Sequence, residues 1–214
     1  MNILFIGNSL TYYNDMPTLF KNLAKENGKN VHVVSVTCGG RKLYEYLDRD
    51  DEYTKKIDEL IETEHFDVCF LQEYTSHTIE DYQSFIDSIG RLKNKLKNAV
   101  DKFVLYETWG LKDGCSKLSE LNCTNESMTK AVTKAYFEAS QLFGMIVSPV
   151  GQRFFEVSRN HSEIELYHED KKHPSYVGSC LAAVTHYETL FGESPDKYTT
   201  LKLPDATAFA FCER

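Results

Sequence analysis

Short apolar runs alternate with longer amphipathic ones along the chain. That alternation reads as strand, helix, strand, helix, and predicts an α/β fold around a parallel sheet covered on both faces. The apolar runs place strands at 2–6, 31–36, 67–72, 102–106 and 145–147. Asn14 or Asp15 is placed to cap a helix running to Asn27, with Pro17 in its first turn and Gly28 just past its end. Charged helical stretches follow at 42–47 and 53–64, and a long helix at 80–98. Residues 109–123 read as a polar loop, long enough to rim a site. Thr124 or Asn125 caps the next helix, to Phe143; a short one ends at Ser158, and Pro174 fits the first position of a last helix to Leu190. The tail 193–214 shows no periodicity, and no repeat or linker divides the chain. The expectation is one domain over 1–214, its core at about 2–190.

Composition narrows the classes. Hydrophobic residues make up 42% and charged residues 26% of 214 positions, enough for both a core and a solvated surface. A net charge of −8 argues against nucleic acid and against anionic membranes as partners. The six cysteines form no C-x-x-C and no zinc spacing. Cys69 and Cys180 lie in apolar runs as buried thiols, while Cys115 and Cys123 flank a loop and could pair under oxidising conditions. With no signal peptide and no membrane span in the sequence, the expectation is a cytoplasmic protein.

Candidate chemistry collects where the strands end. In an open parallel sheet, groups beyond the carboxyl ends of the strands converge on one crevice. Gly7-Asn8-Ser9 follows the first strand, Cys38-Gly39-Gly40 the second, and Gln72-Glu73 the third; Asp170 and His173 precede the last helix. A serine hydroxyl is a poor nucleophile until a histidine takes its proton, and the histidine needs a carboxylate to hold its tautomer. Ser9, His173 and Asp170 fill those roles, the last two three residues apart and able to share a turn. The N–H groups of Ser9 and Gly40, with the Gln72 amide, offer an oxyanion hole. Each motif alone is commonplace; their conjunction carries the argument.

With those residues in view, the chain resembles the SGNH (GDSL-type) hydrolases. Gly7-Asn8-Ser9-Leu10-Thr11 is similar to the family's nucleophile block, Gly40 to its second block, and Asp170-Lys171-Lys172-His173-Pro174 to its Asp-x-x-His block. The resemblance spans about residues 2–190. It implies a three-layer α/β/α, flavodoxin-like sheet of about five strands. It also implies a serine esterase without metal or organic cofactor; with no long apolar lid in the sequence, a small polar-rimmed pocket is expected, and acetyl esters of carbohydrates are the expected substrates. Ser9 would be the nucleophile, His173 the base and then acid, and Asp170 its orienter. The third block departs from the family: Leu71-Gln72-Glu73 stands where Gly-x-Asn is usual, as in one subgroup of the superfamily, and the resemblance assigns Glu73 no role.

Rival readings stay open at this point. Gly7–Thr11 could serve as a phosphate or flavin loop. His161, His168 and His173 with Glu165, Glu169 or Asp170 could bind a metal. Cys38 beside Gly39-Gly40 could be a thiol nucleophile. The fold could also serve as a non-catalytic module.

Overall fold

The computed structural model describes residues 1–211. Five parallel strands form its sheet: β1 Asn2–Gly7, β2 His32–Thr37, β3 Phe66–Leu71, β4 Val100–Tyr106 and β5 Ile146–Ser148, in the spatial order β2-β1-β3-β4-β5. The strand order changes direction between β1 and β3, so the crevice of this doubly wound sheet opens beyond their carboxyl ends. The helices are α1 Ser9–Tyr12, α2 Met16–Glu26, α3 Glu52–Thr63, α4 His77–Glu80 and α5 Tyr82–Leu96, then α6 Ser116–Glu120, α7 Asn125–Phe143, α8 Val150–Asn160, α9 Tyr176–Phe191 and α10 Asp205–Ala210.

Successive strand residues point to opposite faces, and the apolar runs use this fully. Ile3, Phe5, Val68, Phe70, Val104 and Tyr106 pack with α2, α8 and α9 in one core. Leu4, Ile6, Cys69, Leu71, Phe103 and Leu105 pack with α5 and α7 in the other. The architecture is the three-layer α/β/α arrangement that the sequence implies.

Several boundaries differ from expectation, each for a local reason. Asn14 and Asp15 do not cap a helix with their side chains. Both sit at φ +53°, turning the chain from α1 into α2, and Asn14 Nδ2 instead donates to the Pro174 carbonyl and Ser179 Oγ. The predicted 80–98 helix is broken at Asp81, whose carboxylate caps α5 by accepting from Ser84 N–H. The last helix starts after Ser175, not at Pro174, because Ser175 Oγ accepts from Gly178 N–H. The 109–123 loop contains α6. The tail is not irregular: a 3₁₀ turn at Thr199–Leu201 and α10 dock it, with Leu201 and Phe211 fully buried. The final stretch of that predicted tail, 212–214, lies outside the described residues. Cys115 and Cys123 are both free thiols. Among the described residues, no helix is long and apolar enough to cross a membrane.

Candidate active site

Ser9 opens α1 immediately beyond β1. Asn8 is its N-cap, with Oδ1 accepting from Leu10 N–H at 3.1 Å and Nδ2 donating to the Arg41 carbonyl at 2.8 Å. The turn is braced from two sides. Tyr46 Oη donates to the Gly7 carbonyl at 2.6 Å, and Gln72 Oε1 accepts from Asn8 N–H at 2.7 Å and from Thr11 Oγ1 at 2.9 Å. Gly7 is required here, because a Cβ at that position would lie 2.5 Å from Gln72 Oε1 and 2.7 Å from Thr11 Oγ1. The hydroxyl and backbone donor that a phosphate loop would offer, from Thr11 and Asn8, are therefore already taken by Gln72.

At the other end of the chain, residues 168–173 form a tight loop. His168 N–H donates to the His173 carbonyl and Ser175 N–H to the Leu166 carbonyl, both at 2.8 Å, while Tyr167 pairs with Pro174. Lys171 turns it through φ +63°. The 109–114 segment clasps it from outside: Trp109 Nε1 donates to the Lys172 carbonyl at 3.0 Å, Lys112 N–H to the Lys171 carbonyl at 3.0 Å, and Lys171 Nζ to the Gly114 carbonyl at 3.1 Å. Trp109 is itself stacked on Phe154.

These two segments meet. His173 Nε2 lies 2.8 Å from Ser9 Oγ, and His173 Nδ1 lies 2.5 Å from Asp170 Oδ2. Asp170 Oδ1 accepts from the N–H groups of Lys172 and His173, each at 3.0 Å, so the carboxylate is fixed by its own turn. Partial burial pushes the Asp170 carboxyl up, but the bonds from the His173 ring and from those two N–H groups outweigh it and hold it down at about 2. An ionised Asp170 accepts from Nδ1–H, and in the neutral ring this tautomer turns the lone pair of Nε2 toward the Ser9 hydroxyl. The Tyr13 ring lies against the far side of the imidazole.

Ser9 and His173 line a cavity of about 40 Å³ together with Leu10, Thr75, Leu111 and Lys172. A larger groove of about 990 Å³, near Arg153 and Glu188, contains neither residue. The 38–41 segment sits beside the Ser9 turn, with Gly39 against Tyr12 Oη and Gly40 at φ +70°. Arg41 pins that segment through a two-point ion pair with Asp51, 2.5 Å at each contact. The N–H groups of Ser9 and Gly40 donate to no described residue.

Gln72 stands differently from expectation. Its side chain is buried, its oxygen faces the Ser9 turn as described, and its Nε2 donates to the Glu73 carbonyl at 2.5 Å. The amide thus braces Gly7–Thr11 from below, and Gln72 is not among the residues lining the cavity. Glu73 has a structural position. Fully buried, it accepts from Leu43 N–H through both oxygens, at 3.2 and 3.1 Å, and from Tyr74 N–H at 2.6 Å, tying the end of β3 to the chain just after Gly40. Burial pushes its carboxyl up to about 8.

The histidine and carboxylate cluster weighed as a metal site does not assemble: among the described residues, no three His, Cys, Asp or Glu side chains are grouped to hold an ion. His168 instead packs edge-on to Tyr13, 5.9 Å between ring centroids. Sequence reasoning missed Tyr13 and reached Trp109 and Thr75 only as members of loops expected to wall the site, since their places depend on contacts far apart in the chain. The only available signal was their position in segments that leave strand ends.

A search with the whole structure finds close likeness. A protein from Slackia heliotrinireducens assigned to the SGNH hydrolases superposes with a TM-score of 0.78 at 30% identity, over 89% of this chain and 98% of that one. A DUF4886 family protein from Bacteroides uniformis gives 0.78 at 17% identity, over 99% and 93%. An acetyl xylan esterase, AlAXEase, gives 0.67 at 16% identity, over 88% and 98%; these last two share the fold. No protein-family model matches the chain, and no curated protein sequence does. At that identity and coverage with the first of these structures, the chain belongs to the SGNH hydrolases.

Proposed function

We propose that the protein is a serine esterase that cleaves esters of small acyl groups through an acyl-enzyme, with Ser9 as nucleophile, His173 as base and then acid, and Asp170 as its orienter. The observation that carries this reading is the unbroken line of hydrogen bonds from Ser9 Oγ through the imidazole to the Asp170 carboxylate. His173 Nε2 takes the Ser9 proton as Oγ attacks the ester carbonyl. The carbonyl electron pair moves onto oxygen beside the N–H groups of Ser9 and Gly40. As the pair returns, the C–O bond to the alcohol breaks and His173 gives the proton to the departing alkoxide. Water, deprotonated by the same nitrogen, then releases the acid and restores the serine.

The cavity of about 40 Å³ beside Ser9 supports an acyl group of acetyl size, since on this measure one water-sized group needs roughly 10–15 Å³. The structural likeness to an acetyl xylan esterase favours a carbohydrate as the alcohol. The test is turnover of p-nitrophenyl acetate by the parent and by Ser9→Ala, with labelling of both by a fluorophosphonate. The parent hydrolyses the ester and is labelled, and Ser9→Ala does neither. Equal turnover in the two proteins would refute the assignment. Butyrate and octanoate esters are cleaved progressively more slowly than acetate; the reverse order would remove the small-acyl reading.

A further inference from the structure

We propose that the Thr75 hydroxyl is a catalytic oxyanion donor, filling the place that the Gln72 amide does not reach. The inference rests on the serine-esterase reading and deepens it. Three observations converge on Thr75. First, both ends of the Gln72 amide are engaged within the fold, the oxygen by Asn8 N–H and Thr11 Oγ1 and the nitrogen by the Glu73 carbonyl. The loop beyond β3 is thus left to present its donor from another residue. Second, Thr75 lies three positions further along that loop and lines the cavity that holds Ser9 and His173.

Third, Thr75 is 3% exposed, and its Oγ1 is enclosed without a hydrogen-bond partner among the described residues. Its neighbours are all committed. Thr78 Oγ1 donates to the Thr75 carbonyl at 2.8 Å, His77 N–H to the Tyr74 carbonyl at 2.9 Å, Ser76 Oγ to Glu80, and Tyr74 N–H to Glu73. A buried hydroxyl without a partner weakens a fold, and nearly all buried polar groups find one. Two other such atoms occur among the described residues, Thr108 Oγ1 and His186 Nε2, and neither residue lines this cavity. The His186 ring is enclosed by Phe5, Phe70 and Tyr106. Thr75 alone of the three stands where a reacting ester arrives.

The step moves no proton. As Ser9 Oγ bonds to the carbonyl carbon, the π pair becomes a lone pair on oxygen, and Thr75 O–H donates to it. When the pair returns and the alcohol leaves, that bond loosens and the hydroxyl keeps its hydrogen. The turns on either side of Thr75 hold it in place beforehand, which is what such a donor requires.

The experiment compares the parent, Ser9→Ala, Thr75→Val and Thr75→Ser on p-nitrophenyl acetate, with thermal unfolding of each. Thr75→Val keeps the shape and removes the donor. Its kcat falls about 10²-fold or more, in the range for loss of one oxyanion donor. Its KM stays within about twofold and its Tm is unchanged or raised, because a methyl replaces an unpaired hydroxyl. Thr75→Ser restores turnover to within about tenfold of the parent. The inference is overturned if Thr75→Val turns over like the parent, if only its KM changes, or if its loss follows a collapse in Tm that the serine variant does not rescue. Failure of the underlying reading is a separate result: Ser9→Ala would then be as active as the parent, or the parent would be inactive.

Discussion

The Tyr13 ring stacks on the His173 imidazole, centroids 4.2 Å apart and planes within 10°. The contact joins the turn after α1 to the loop before α9, so one face of the imidazole is covered by a residue four positions from Ser9. An offset aromatic stack of this kind is worth about 0.5–1.5 kcal/mol beyond its buried area. Tyr13→Leu lets the imidazole swing and lowers kcat/KM by about 2–10-fold, while Tyr13→Phe keeps the parent's value. Steady-state kinetics on a short-chain ester check this, and equal losses in both variants would assign the effect to the hydroxyl.

Asp170 is held at about 2, so it remains the ionised partner of His173 throughout the ordinary working range. Its folded-state value is below the usual 3.8. The stability it contributes is therefore complete above that ordinary value and is lost as pH falls through about 2. Asp170→Asn reverses the hydrogen-bond demand at Nδ1 and puts the proton on the nitrogen that faces Ser9. Turnover drops by about 10⁴-fold, and Tm near pH 7 falls modestly, because the stability that the ionised carboxylate contributes is complete there. Activity within tenfold of the parent would show that the carboxylate is not orienting the ring.

Gln72→Ala removes the acceptor shared by Asn8 N–H and Thr11 Oγ1 and leaves both buried. Each unsatisfied group costs about 1–3 kcal/mol, so the urea midpoint falls by an amount equivalent to about 2–6 kcal/mol. Turnover falls as well, because the Ser9 turn loses its floor. A variant with normal stability and reduced kcat alone would return Gln72 to the oxyanion hole.

Glu73 gives stability an unusual pH slope. Its carboxyl holds its proton to about 8 in the fold, against an ordinary 4.5. The folded state therefore binds more protons than the unfolded one across that window, and stability from this group falls as pH rises from about 4.5 to about 8. Glu107, pushed up to about 7 by burial, acts with the same sign. Glu73→Gln flattens the slope, so variant and parent diverge in the variant's favour between pH 5 and pH 8 when urea midpoints are compared. Parallel curves would show that Glu73 is already ionised at neutral pH.

Much of this was legible in the sequence. The central strands announced themselves because they are apolar on both faces, as Val68-Cys69-Phe70-Leu71 shows, and the strand ends named the segments around the site. The misreadings share a cause. Pro174 and Ser175 are neighbours, and only the bond from Gly178 N–H decides which of them begins α9. The sequence between Ile79 and Ser84 held a usable signal, an aspartate three residues before the serine whose N–H it caps, but a strong helical period hid it. Gln72 matched the oxyanion role by chemistry and position along the chain. The direction its amide faces depends on Asn8, Thr11 and Glu73 together, and no local pattern encodes it.

Ser9 and His173 are 164 positions apart. During synthesis the Ser9 hydroxyl is made 164 residues before the imidazole that it faces. A nascent chain or a fragment cut short before that histidine therefore holds Ser9 without the ring that Oγ bonds.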